Sequence, residues 1–312
     1  MDPAVAAVRG AVRASLAELP SGALVIAGVS GGPDSMALAA ALAAEAPRSG
    51  RRAGAVTVDH GLQPGSAERA AAVASGCKEL GLEPVEIATV QVDGVGGLEA
   101  SARAARYEAF DRAAGRHCAE AIVVGHTLDD QAETVLLGLA RGSGARSLAG
   151  MAPRRGRILR PMLGLRRATT VQACTALGIK TWDDPHNADD SFTRSRVRRS
   201  AMPALEASLG PGIPEALART ADLLRADADA LDAWAALVAD PCDVVALRDL
   251  PAAVRTRAVR RAAIDAGVPA GALRAAHVAD IEALVVDWHG QGAVSLPGGL
   301  EAHRVCDRLS FR

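Results

Sequence analysis

The stretch Ala23-Leu-Val-Ile-Ala-Gly-Val29, followed by Ser30-Gly-Gly-Pro-Asp-Ser35 and an Ala/Leu-rich run over 36–45, decides the reading of this chain. A short apolar run with β-branched residues is the pattern of a buried strand. The Ala/Leu run that follows is helical. A Gly-rich turn between strand and helix lets backbone approach an anion, and the helix start aims free N–H groups and a positive dipole end at it. Ser30 and Ser35 add hydroxyls, Gly31 and Gly32 give close approach, and Pro33 suits the first helical position. No Walker lysine is present. Asp34 inside an anion cradle makes sense if a cation sits between it and phosphates, and Mg²⁺ prefers one or two carboxylates plus phosphate oxygens. The plainer alternative is a turn feeding a helix with a Ser or Asp cap.

The same unit recurs outward from this stretch. Strands are expected over 55–58, 85–90 and 121–124, and helices over 66–80, 98–114 and 129–139. Strand–helix alternation indicates a parallel sheet, which binds ligands beyond the carboxyl ends of its strands. Asp59-His60 and Gly125-His126 sit at such ends. Further on, 154–157 reads as a basic turn, and 166–177 and 193–209 as helices. Gly210-Pro-Gly-Ile-Pro214 breaks the chain, so domains are expected over 1–212 and 213–312. The tail reads as α+β, with helices over 215–238, 251–266 and 272–286 and strands near Val294 and Val305.

Composition narrows the classes. The chain has 312 residues, 49% hydrophobic and 23% charged, which is globular and excludes a disordered or low-complexity chain. No apolar run reaches membrane-spanning length. Charges scattered over residues 1–19 do not match a signal peptide. The five cysteines, Cys77, Cys118, Cys174, Cys242 and Cys306, form no C-x-x-C. They indicate neither a disulfide framework nor a cysteine metal site, and fit a reducing cytoplasm. The net charge of −1 hides an asymmetry: residues 141–199 hold 13 Lys+Arg against 4 Asp+Glu, net +9, between acidic flanks. Such a block suggests a large anionic partner. With aromatics at 2%, contacts to a nucleic acid should lean on phosphate and shape.

The hexapeptide 30–35 resembles the PP-loop of the N-type ATP pyrophosphatases. As a set, Val58-Asp-His-Gly61, Gly125-His-Thr-Leu-Asp-Asp-Gln-Ala-Glu-Thr134, Arg141-Gly-Ser-Gly144, Leu148-Ala-Gly-Met151, Arg160-Pro161, Asp184-Pro185 with Asn187, and the arginines from 194 to 198 resemble the tRNA(Ile)-lysidine synthetase family. Glu99 with Arg103, Arg106 and Tyr107 continues the likeness, which covers about residues 20–210; Leu296-Pro-Gly-Gly299 extends it more loosely into the tail. The chain departs from the family pattern at Thr127 and Leu128, usually His and Ala, and at Phe192 and Ser195, usually Tyr and Asn.

The resemblance implies an α/β, parallel-sheet PP-loop (adenine nucleotide alpha hydrolase-like) domain with a smaller C-terminal α+β domain. It implies ATP as co-substrate with Mg²⁺, adenylation at C2 of the wobble cytidine of an isoleucine tRNA with a CAU anticodon, and ligation of free L-lysine there with release of AMP and pyrophosphate. The cytoplasm is the expected location, no membrane partner is expected, and a homodimer stays open. Ser30, Gly31, Gly32, Pro33, Asp34, Ser35, Val58, Asp59 and Gly125 are the candidate nucleotide contacts. Adjacent helical residues point about 100° apart, so of Asp129 and Asp130 one faces the phosphates squarely. Asp130 is taken as the second metal ligand beside Asp34, and Asp129 as a helix cap or a support of the site. His126 and Arg106 are the further catalytic candidates. For tRNA, Arg194 and Arg198 share a helical face at i,i+4, and Arg154, Arg155 and Arg157 form a second patch, with Asn187 added by the resemblance. The rival readings are a 2-thiolating PP-loop enzyme, which would need cysteine pairs; a small-molecule adenylating ligase, which would not need the +9 block; and a nucleotide-binding regulatory module.

Overall fold

The computed structural model describes residues 1–61, 65–91, 98–182 and 191–312, with the side chains of 98–100 left out. The chain divides into two compact units, Met1–Asp222 and Leu223–Arg312. The break over 210–214 leads into α10 (Ile213–Ala236), and the division falls further along, inside that helix.

The first unit holds strands β1 (Leu24–Gly28), β2 (Arg52–Asp59), β3 (Val85–Thr89), β4 (Ala121–Val124), β5 (Arg154–Arg155) and β6 (Ile158–Leu159) in the order β3-β2-β1-β4-β6-β5. All neighbours are parallel except β5 with β6. The expected parallel α/β sheet is therefore present, with an antiparallel edge where the sequence reads as a basic turn. Each of these last two strands is two residues long, too short for any periodicity, and Gly156 at φ 58° turns between them.

β1 is buried along its whole length, as a strand covered on both faces must be. Its side chains alternate between two cores. Val25 and Ala27 face α1 (Pro3–Leu16), α2 (Pro33–Glu45), and Ala173 and Cys174 of α7 (Arg167–Ala176). Leu24 and Ile26 face Ala109, Phe110 and Ala113 of α4 (Leu98–His117). Helix α3 (Ser66–Glu79) adds Cys77 to the first core. Asp2 caps α1, accepting from the Ala4 N–H at 2.7 Å. Buried Glu45 closes α2 against Arg9 and Arg13 of α1.

On the far side of β4 come α5 (Leu128–Ala140) and the single turn α6 (Ala145–Leu148). The expected helix over 193–209 is broken into α8 (Thr193–Arg196), a π-helical segment Val197–Ala201 and α9 (Met202–Leu209). The second unit packs α11 (Val244–Arg248), α12 (Ala252–Asp265) and α13 (Ala275–Val286) on an antiparallel sheet of β7 (Val294–Leu296), β8 (Leu300–Val305) and β9 (Arg308–Phe311). No described helix is long and apolar enough to cross a membrane.

Candidate active site

The sheet order reverses between β1 and β4, because β2 follows β1 to one side and β4 lies on the other. Loops leaving the carboxyl ends of these two strands meet at the place where open α/β sheets bind ligands. The β1–α2 loop is the hexapeptide 30–35. Gly31 takes φ 87°, a left-handed conformation that favours glycine, and a side chain there would meet Val73 at 2.8 Å. The Ser35 hydroxyl donates to the Gly32 carbonyl at 2.9 Å and accepts from the Ser30 N–H at 3.1 Å, tying the loop into a ring. Gly32 caps α2 with no side-chain bond, so the first-turn N–H groups have no side-chain acceptor there. The Trp182 N–H donates to the Gly31 carbonyl at 2.9 Å, and the Arg69 guanidinium lies 4.8 Å from the Trp182 ring centroid.

The acids arrive from two helix starts. Asp34 lies in the first turn of α2, and Asp129 and Asp130 in the first turn of α5. Thr127, fully buried, donates to Asp130 Oδ2 with its N–H at 2.8 Å and its hydroxyl at 3.0 Å. Thr127 stands where the resembled family usually has a second histidine, and here it fixes the Asp130 rotamer. Three arginines of the basic block complete the arrangement. Arg167, at the start of α7, reaches Asp34 Oδ2 with Nε at 2.9 Å and Asp130 Oδ1 with Nη2 at 2.7 Å. Its backbone N–H donates to Asp129 at 2.7 Å. Arg198, in the π-helical segment, meets Glu133 at 2.6 Å and Asp130 at 3.2 Å. Arg166 bridges Asp129 at 3.2 Å and Glu215 at 2.8 Å. Thr170 donates its hydroxyl to Asp34.

Electrostatics separate these acids. Burial pushes the Asp34 and Glu133 carboxyls up, while Arg167 and Arg198 respectively pull them back. Burial works against the Asp130 charge too, but Arg167, the Thr127 N–H, His126 and Arg198 outweigh it and hold that carboxyl below its ordinary range. Burial pushes the His126 imidazole down to about 4; Asp130 opposes this, and Arg160, Arg103 and Arg194 add to it. His126 is therefore neutral at neutral pH, with a buried Nδ1 that finds no partner among the described residues.

Of the residues selected from the sequence, the fold brings together Ser30, Gly31, Gly32, Pro33, Asp34, Ser35, Gly125, His126 and Asp130. Gly125 abuts the Asp34 backbone. Asp59 ends β2, accepts from the Gly61 N–H at 3.0 Å, and is held below its ordinary range by that bond and by the Ser66 hydroxyl. Val58 precedes it in the same strand. Arg106 lies on α4, and its charge adds to the burial that lowers the His60 imidazole. Arg194 contributes to the field at His126.

Arg194 and Arg198, expected to share one helical face as tRNA contacts, do not sit on one regular α-helical turn. The π-helical segment begins between them, and the Arg198 guanidinium is turned onto Glu133 and Asp130. Arg154 and Arg155 are exposed on the edge strand β5, where Arg154 lies 3.7 Å from Glu18. Asn187, with Asp184 and Pro185, lies outside the described residues.

Sequence reasoning missed Arg167, Thr170, Arg166 and Glu133. Glu133 was within reach, one turn beyond Asp129 and Asp130 on the same helix. Arg166-Arg167 carried a weaker signal: two cations with no acid nearby in sequence must be paired from elsewhere or solvated.

A cavity of ≈ 230 Å³ opens beside the network between α5, α7 and α9. Asp129, Glu133, Glu206, Arg166, Arg167 and Arg198 line it, so its wall carries both acids and guanidinium groups. Among the described residues no group of three or more metal-ligating side chains forms a self-sufficient metal site. Asp34 and Asp130 nonetheless converge on one cationic position, filled by the Arg167 guanidinium. Two hard carboxylates beside a Gly-rich loop at a helix start fit Mg²⁺, which takes its remaining ligands from phosphate and water.

A family described as PP-loop domain matches residues 8–205, and one described as TilS substrate binding domain matches residues 243–310. A tRNA(Ile)-lysidine synthase of Thermobifida fusca is 57% identical over 309 residues, covering 97% of this chain and 95% of that protein. Its counterparts in Streptomyces coelicolor and Rhodococcus erythropolis are 56% and 45% identical, covering 94% and 99% of this chain and 86% and 95% of theirs. Among solved structures, the U34-tRNA thiolase NcsA from Methanococcus maripaludis superposes with a TM-score of 0.58 at 19% identity, over 71% of this chain and 80% of that one. That likeness concerns the fold.

Proposed function

This chain belongs to the tRNA(Ile)-lysidine synthase family of PP-loop proteins, and from that premise we infer that it uses ATP to form lysidine on an isoleucine tRNA. The observation that carries the reading is the 30–35 cradle standing against a carboxylate pair in a chain matched over nearly its whole length by lysidine synthases. The wobble cytidine of the CAU anticodon is the acceptor. Its C2 oxygen is adenylated with loss of pyrophosphate, and an amine of free L-lysine then takes C2 as AMP leaves.

The chain's own residues divide this work. Backbone N–H groups at the start of α2 and the Ser30 and Ser35 hydroxyls bind phosphate, because they form a preorganised anion site. Val58 and Asp59, at the end of the neighbouring strand, lie toward the nucleoside. Asp34 and Asp130 would hold Mg²⁺, which when bound neutralises phosphate charge. Neutral His126 offers a hydrogen bond in the site without adding charge. The cavity beside Glu133 and Arg198 matches free lysine, whose two ammonium groups need carboxylates and whose carboxylate needs a guanidinium. Arg194, Arg154 and Arg155 are the phosphate contacts for tRNA in this reading, and a tRNA substrate makes the cytoplasm the compartment of the reaction.

The 2-thiolation reading is not favoured. The chain has no C-x-x-C, and its five cysteines are free, Cys77 and Cys174 being buried. The test is incubation with ATP, isotope-labelled lysine and an isoleucine tRNA transcript carrying CAU. Labelled nucleoside together with equal AMP and pyrophosphate is expected. Pyrophosphate release without lysine in the tRNA would overturn the reading.

A further inference from the structure

We propose that Arg167 is a built-in counter-cation of the Asp34–Asp130 pair: it occupies the metal position in the nucleotide-free enzyme, keeps a free divalent ion out, and yields only when a triphosphate arrives. The proposal rests on the assignment of Asp34 and Asp130 as the metal-holding pair.

The geometry is that of a substitute ion. One guanidinium spans two carboxylates from different helices, with Nε 2.9 Å from Asp34 Oδ2 and Nη2 2.7 Å from Asp130 Oδ1. The three side chains are 25%, 18% and 11% exposed, so the contact is largely removed from solvent. The position is one that demands positive charge. Around it the acids Asp34, Asp129, Asp130, Glu133 and Glu215 face Arg166, Arg167 and Arg198. Leaving two partly buried carboxylates without a cation is costly, so some cation must be there at every stage.

The anchoring of Arg167 also suits release. Its backbone N–H is bound to Asp129 Oδ2 at 2.7 Å, which pins the start of α7 independently of the side chain. Thr170 holds Asp34 from the other side. The guanidinium can therefore leave without disturbing either helix start.

Competition decides the occupant. Mg²⁺ sheds water reluctantly, and two carboxylates without phosphate make a weak site for it. Arg167 meets no such dehydration barrier in the free enzyme, because it is already in place. A triphosphate in the adjacent cradle reverses both effects. It supplies oxygen ligands to the ion, and it gives the guanidinium a planar bidentate acceptor. Metal and nucleotide should then bind as a unit, and the empty enzyme should not collect metal. Arg167 is thus a positioning residue in the free enzyme and a phosphate contact in the loaded one.

Mn²⁺ titration followed by electron paramagnetic resonance tests this on the full-length protein, with and without an ATP analogue bearing a methylene bridge between the α and β phosphorus atoms. Wild type should bind Mn²⁺ weakly alone and tightly with the analogue. Arg167→Ala and Arg167→Gln should bind Mn²⁺ without nucleotide at least about tenfold more tightly than wild type, a difference of ~1.4 kcal/mol. Adding Asp34→Asn to Arg167→Ala should abolish the gain and so locate the ion. Arg167→Lys keeps the charge and should still exclude metal. If the Arg167 variants are folded by circular dichroism and bind Mn²⁺ no better than wild type, the counter-cation role is overturned. It is overturned equally, even if those variants fail to fold, when wild type alone binds Mn²⁺ as tightly as with the analogue and Asp34→Asn removes that binding. If wild type binds no Mn²⁺ even with the analogue, the metal assignment of Asp34 and Asp130 fails, and the proposal with it.

Discussion

Gly125 packs against the backbone of Asp34: a methyl group at Gly125 would lie 3.0 Å from both the carbonyl carbon and oxygen of Asp34 and 3.1 Å from the Ser35 nitrogen. The loops leaving β1 and β4 are thus joined where phosphate is expected to bind. The obstructing atoms are backbone, which cannot turn aside as a side-chain end can.

Gly125→Ala should therefore push the two loops apart. A destabilisation of about 1–3 kcal/mol is expected, the range for overpacking, with a matching fall in nucleotide affinity. Gly10→Ala is the control: it lies inside α1 with nothing within 4 Å of its would-be Cβ, and should raise stability by about 0.5–1 kcal/mol. Urea midpoints and nucleotide titration measure both. A Gly125→Ala protein with wild-type midpoint and affinity would show that the loops move independently.

Asp34→Asn should lower lysine- and tRNA-dependent AMP formation by at least about tenfold, or ~1.4 kcal/mol of barrier. Its affinity for tRNA should stay near wild type, since Asp34 lies in the 30–35 loop proposed to hold the nucleotide. Turnover restored fully by excess Mg²⁺ would point to a carboxylate that tunes metal affinity without being required for the step.

Arg198→Ala would strand Glu133, whose side chain is 2% exposed. Removing one partner of such a pair costs about 3 kcal/mol. Glu133→Gln with Arg198→Ala should recover part of that loss, and a double-mutant cycle reads the coupling. Arg194→Ala should instead act on tRNA binding, reducing the salt slope of log K by about 0.7–0.9. Fluorescence anisotropy of labelled tRNA over a salt series separates the two residues. A larger slope change for Arg198→Ala than for Arg194→Ala would reverse their assignment.

Glu45 gives a pH prediction remote from the active site. The Arg13 hydrogen bond, opposed by burial and joined by Arg9, holds its carboxyl down at about 2. A carboxyl depressed in the folded state contributes stability that is complete above its unfolded value, near 4.3, and is lost as pH falls toward the folded value. The urea midpoint should thus drop between about pH 5 and pH 2, in a range set by ordinary and depressed carboxyls. Glu45→Gln should be less stable at neutral pH and show a shallower fall. An unchanged acid profile in that variant would place the acid sensitivity elsewhere.

Much of the fold and the site was legible locally. The apolar run at 24–28, the alternation of strands and helices and the 30–35 cradle are properties of neighbouring residues, and they reappear as β1, the parallel sheet and the loop ring. Asp129 and Asp130 at a helix start were legible for the same reason. The β5–β6 hairpin was not, since two residues per strand carry no period. Neither was the π-helical segment, which breaks the i,i+4 rule used to pair Arg194 with Arg198.

The sequence by itself determined the parallel α/β class, the Gly-rich loop between β1 and α2, and the placing of carboxylates at helix starts beside it, because turn chemistry and hydrophobic period act over a few residues. Only the tertiary structure decided which cation meets which carboxylate. Arg167 lies 133 residues from Asp34 and 37 from Asp130, and Arg198 lies 65 from Glu133. Charge pairing leaves no periodic trace in sequence. It is set by the packing of α7 on α1 and α2, which carries the Arg167 backbone to the site, and by burial there, which makes a paired arrangement the lower-energy one.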